Sequence, residues 1–96
     1  MPQYVFLMTV TQAGAADVDS LPRHEAEIGA IVTALHGESA LFLYTMGPYD
    51  VVLVAGLPDD ESAACLALRI VQAGFFKTVT MRAFTSEQAV QAFGKK

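Results

Sequence analysis

Cysteine is nearly missing from this 96-residue chain: Cys65 stands alone, which excludes an internal disulfide and any cysteine-based zinc site within one chain. Charge is scarce as well. Charged residues make up 17%, against about 25% in an ordinary soluble domain. Six basic and ten acidic side chains leave a net charge of −4, with no basic cluster to neutralise phosphates, so nucleic acid is not an expected partner. Long apolar runs are lacking too. The most apolar stretch, Ala40 to Leu57, is broken by Gly47-Pro48 and Asp50, well short of the roughly 18–20 apolar residues that a membrane helix needs. It reads as a hairpin, and no membrane partner is expected. Met1-Pro2-Gln3-Tyr4 has no basic n-region, so a secretory signal is not expected and a cytoplasmic location is the default. There is no GxGxxG, Walker loop, HExxH or GxSxG, and no cofactor is expected.

What the chain does have is hydrophobic residues, 53% of the total. Its length fits one domain, residues 1–96. Tyr4–Thr11 is rich in β-branched and aromatic residues and predicts a strand. Gln12–Asp19 carries Gly14 and two aspartates and predicts a loop. Asp19 or Ser20 is placed to cap a helix with Pro22 in its first turn. Leu21, Ile28, Ile31, Val32 and Leu35 then share one helical face, and Gly37 is placed to end the helix in a left-handed conformation.

Ala40–Thr45 and Tyr49–Gly56 predict two further strands around the turn Met46-Gly47-Pro48. Asp59 and its acidic neighbours open a second helix that Gly74 stops. Phe75–Phe84 predicts the last strand. Thr85 and Gln88, at capping-box spacing, open a short C-terminal helix that Val90 and Phe93 would pin to the body. The order βαββαβ predicts an α+β, ferredoxin-like fold: a four-stranded antiparallel sheet, two helices on one face and a tail helix.

The strands do not alternate apolar and polar residues as a half-solvated sheet should. Leu41 and Leu43 oppose Phe42 and Tyr44, and Val51, Leu53 and Ala55 oppose Val52 and Val54. Both sheet faces demand cover, and two helices supply it to one. The expectation is a homodimer, or a higher homo-oligomer, whose sheets pack face to face into a shared barrel.

The turn and strand Gly47-Pro48-Tyr49-Asp50-Val51-Val52 resemble the Gly-x-Tyr-Asp hallmark of the GYD-domain family. The likeness extends through Pro58-Asp59-Asp60 and through Gly74 and the basic-Thr-x-Thr strand Lys77-Thr78-Val79-Thr80. Tyr4, Gly14 and Pro22 also sit at familiar places. One departure is His24, which stands where the family usually has an arginine two residues after the helix-opening proline. The resemblance implies a dimeric α/β barrel. Related barrels include cofactor-free oxygenases, isomerases and ligand sensors, so it implies no single reaction.

The residues themselves offer a few candidates for chemistry. Asp50, at the mouth of the third strand, would act as a general base or orient a ligand hydroxyl; alternatively it accepts hydrogen bonds from turn amides around Gly47. Tyr49 faces the other side of that strand. Phe76, Thr78, Thr80, Arg82 and Phe84 share a face that is apolar at its ends and polar between, as a pocket wall requires. Phe76, Thr80 and Arg82, with Tyr44 and His24 beside them, are therefore the expected lining for a small organic ligand, anionic or aromatic. Arg82 would grip a carboxylate or form an intersubunit salt bridge, for example to Asp50. His24 would carry a proton or sit as a satisfied core-edge residue. His36 falls in the last turn of its helix, twelve positions on, too far for the two to share a metal. Cys65 lies on a polar helical stripe with Ser62, Arg69 and Gln72 and has no histidine in reach to activate it. An enzyme of oxygenase or isomerase type, and a structural or regulatory subunit docking another protein, are the alternatives to a binder.

Overall fold

The computed structural model describes residues 1–94. Strand β1 (Gln3–Val10) leads into a short helix α1 (Gln12–Ala16), a 3-10 turn (Val18–Ser20) and helix α2 (Leu21–Ala34). Strands β2 (Glu38–Tyr44) and β3 (Val51–Gly56) form the hairpin, followed by α3 (Asp60–Ala73), β4 (Phe76–Ala83) and α4 (Ser86–Phe93). The sheet order is β2-β3-β1-β4, and every neighbouring pair is antiparallel. This is the α+β, ferredoxin-like arrangement that the element order predicts.

Register divides the side chains between two faces. Tyr4, Phe6 and Met8 pair with Ala55, Leu53 and Val51 on one side and with Arg82, Thr80 and Thr78 on the other. Tyr4, Phe6, Met8, Val51, Leu53 and Ala55, with Ile28 and Val32 of α2 and Ala63, Leu66 and Ile70 of α3, build the core. The opposite face presents Val5 and Leu7, Leu41 and Leu43, Val52 and Val54, Val79 and Met81. Leu41, Leu43, Val79 and Met81 are 42–52% exposed. Among the described residues, no helix lies over them.

The helix termini show where local chemistry decides and where it does not. Asp59 caps α3 by accepting from the Ser62 amide at 2.8 Å, and Gly74 closes that helix at φ 91°. Thr85 and Gln88 make the full capping box of α4. The segment expected to be a loop contains α1, because the Thr11 hydroxyl accepts from the Gly14 amide at 3.1 Å. Ser20 occupies the cap position of α2 without capping it; its hydroxyl donates to Asp17 instead. The left-handed residue after α2 is His36, at φ 65°, rather than Gly37.

Gly37 is needed for a different reason. A Cβ there would sit 2.5 Å from the Gly56 carbonyl oxygen and 2.6 Å from Leu57 Cδ2, and the backbone oxygen cannot step aside cheaply. Gly37→Ala is expected to cost about 1–3 kcal/mol, read from the midpoint of urea denaturation.

Helix α4 buries none of its residues. Val90 and Phe93 are 69% and 67% exposed, and Phe93 meets Phe84 edge to face at 5.6 Å. The expectation that Val90 and Phe93 pin this helix to the body is therefore not met. The radius of gyration is 14.1 Å, against about 12.5 Å for a compact domain of this length. Among the described residues, no helix is long and apolar enough to cross a membrane.

Candidate functional site

Asp50 works as a backbone substitute. Its carboxylate accepts from the Val10 amide at 2.8 Å, and its own amide donates to the Met8 carbonyl at 2.8 Å. The β1–β3 ladder thus continues past Val51 through a side chain. Turn amides around Gly47 play no part in this. The hairpin is held instead by Thr45, whose hydroxyl donates to the Tyr49 carbonyl at 2.7 Å and whose amide donates to the Asp50 carbonyl at 2.8 Å. Gly47 takes φ 118°, a conformation that favours glycine. Tyr49 is half-buried.

The residues expected to line one ligand wall lie at two ends of the sheet. Phe76 is buried in the core beside His24. Arg82 is six residues further along β4, about 20 Å away at strand rise, and Thr80 lies between, its hydroxyl 3.4 Å from that of Thr78. Within its own chain the acidic partner of Arg82 is Asp60, at 3.8 Å. Its guanidinium also lies 5.0 Å from the Phe84 ring centroid and 5.8 Å from that of Tyr4. Both members of the ion pair are exposed, so it adds little stability.

Tyr4 completes that cluster. Its ring is buried and its hydroxyl donates to Asp60 at 2.5 Å. Burial foremost, then this hydrogen bond and the charge of Asp60, pushes the phenol up to about 12. The folded protein thus holds the proton more tightly than the unfolded chain, so this contribution is complete below pH 10.0 and fades as pH rises through about 12. Tyr4→Phe is expected to lose about 1 kcal/mol at neutral pH and to flatten that alkaline decline, measured by urea midpoints across the range.

His24 is 3% exposed and stacked on Phe75 at 3.8 Å between ring centroids. Its Nε2 lies 3.2 Å from Asp17 Oδ2 and its Nδ1 3.3 Å from Glu27 Oε1. A neutral imidazole has one N–H for these two carboxylates, whereas an imidazolium donates to both. The Asp17 carboxyl is held below its ordinary range, chiefly by the Ser20 hydroxyl and further by His24. This assembly ties the 3-10 turn to α2. Cys65 is half-buried on α3.

An open groove lies elsewhere, between α2 and the edge strand β2. It has a volume of about 300 Å³ and is lined by Pro22, Glu25, Ala26, Gly29, Ser39 and Phe42. Tyr44 flanks it. The Tyr44 ring meets Phe42 edge to face at 5.6 Å, and its hydroxyl donates to the Leu21 carbonyl at 3.4 Å. Burial and the nearby charge of Glu25 raise the Tyr44 phenol. Of the six lining residues, sequence reasoning singled out none for binding. Gly29 carried a signal, being a glycine inside a helical pattern.

The sequence model of the GYD domain matches residues 4–93. The chain belongs to the GYD domain family. No curated protein matches it. Among solved structures, this GYD domain is similar to the crystal structure of TTHA0845 from Thermus thermophilus. The two share 23% identity over 90% of this chain and 96% of that one, with a TM-score of 0.58. At that identity the likeness speaks for the shared fold.

Proposed function

We propose that this GYD domain works as a homodimer, joined through the open faces of its two sheets, and that each protomer binds a small organic molecule. The carrying observation is the uncovered sheet face, with eight apolar side chains contributed by all four strands. Four strands about 4.8 Å apart and some six residues long give a footprint of roughly 400 Å², the size at which an apolar patch on a soluble protein is commonly an interaction site. Two twisted sheets of this kind pack face to face with their strands nearly aligned. The tail helix does not compete for that face, since it buries nothing.

The small-molecule part of the reading rests on the α2–β2 groove, whose volume lies at the lower end of known ligand pockets. The Arg82 end of the sheet is less suited to an anion, because Asp60 already faces that guanidinium. Light scattering at micromolar concentration tests the assembly: a mass near 20.6 kDa, twice the 10.3 kDa chain, is expected. A mass of 10.3 kDa would overturn it.

A further inference from the structure

We infer that the groove between α2 and β2 selects a small organic cation, an amine carried on a flat apolar body. The inference rests on the small-molecule reading above and adds the charge and shape of the ligand. Three observations converge on it. First, Glu25 is the one ionisable residue among the six that line the groove. None of the described basic side chains lies within salt-bridge distance of it. Glu25 is half-buried and lines the open groove, so it offers a counter-charge to a cationic guest.

Second, the remaining wall suits the body of such a guest. The Phe42 ring, set edge to face with Tyr44, provides apolar aromatic surface, and aromatic faces attract cations as well as apolar groups. Ser39 adds a hydroxyl at the rim.

Third, Gly29 sits in the middle of α2, where glycine is less favourable than alanine. The fold has no steric use for the missing side chain, because a Cβ at this position would meet nothing within 4 Å. The absent side chain instead keeps the groove open.

The test uses three probes of nearly equal size that differ in charge: phenethylamine, 2-phenylethanol and phenylacetate. Binding is followed by amide chemical shifts of the full chain and by calorimetry. Phenethylamine is expected to move the signals of Glu25, Gly29 and Phe42 and to bind more tightly than either analogue. Glu25→Gln should weaken it about two- to fivefold, the scale of a partly exposed charge contact. Gly29→Ala should raise the thermal midpoint by about 4–8 °C, which shows that the fold does not need this glycine. Gly29→Leu should fold and lose the amine. Equal or tighter binding of the alcohol or the carboxylate in the groove would overturn the cation inference and leave the small-molecule reading standing. Silence of the groove signals with all three probes would overturn both. Undiminished phenethylamine binding by Gly29→Leu would place the ligand elsewhere and overturn the inference.

Discussion

Leu7→Lys is expected to halve the mass of the particle in solution, from about 20.6 to 10.3 kDa, while leaving the fold of each chain intact. Leu7 lies on the inner strand β1 between Val52 and Val79, on the face without helices. In a lone chain the lysine projects into water and costs little. Across a two-fold interface the substitution brings in two like charges with no partners, and burying an unpaired charge costs several kcal/mol. The apparent Kd should therefore weaken by about a thousandfold or more. Circular dichroism and light scattering on the same sample separate loss of assembly from loss of fold. A mass that stays near 20.6 kDa would remove the sheet-to-sheet interface from consideration.

Phe6→Ala, one residue away, should do the reverse and attack the folded chain itself. Phe6 is fully buried between Leu53 and Thr80, on the face beneath the helices. Removing a buried phenyl ring loses transfer free energy and leaves a cavity, together about 3–5 kcal/mol. A domain of this length has roughly 5–15 kcal/mol in all. The variant should unfold at much lower urea concentration, and strong near-ultraviolet dichroism at ambient temperature would contradict this placement of the core. The contrast between neighbours 6 and 7 follows from strand geometry, since successive side chains point to opposite faces.

That alternation is also why much of the fold was legible in the sequence. Leu41 and Leu43 against Phe42 and Tyr44, or Val52 and Val54 against Val51 and Leu53, can be sorted by counting in twos, and the register bears the sorting out. Caps such as Asp59, Gly74 and the Thr85–Gln88 pair act within a turn of the chain, so their partners are visible nearby. Two features hidden from the sequence involve distant partners. Asp50 bonds an amide 40 residues away, and Arg82 meets Asp60 only because α3 begins beside the end of β4. Helix α1 escaped notice because it is five residues long and Thr11, its cap, also donates to the Gly74 carbonyl across the molecule. The candidate groove was least legible. It arises from how α2 rests on β2, a strand with a register shift between Ser39 and Leu41, and neither helix nor strand announces that alone.

The order of strands across the sheet has a consequence for how the chain comes to be made. β1 leaves the ribosome before the other three strands of the sheet, yet it lies between β3 and β4. Until residues 76–83 emerge, one of its edges has no hydrogen-bonding partner, and an apolar edge in that condition invites pairing with other chains. Pairing of the earliest of these strands is thus completed only by the arrival of β4, and until then the nascent chain carries an open β1 edge.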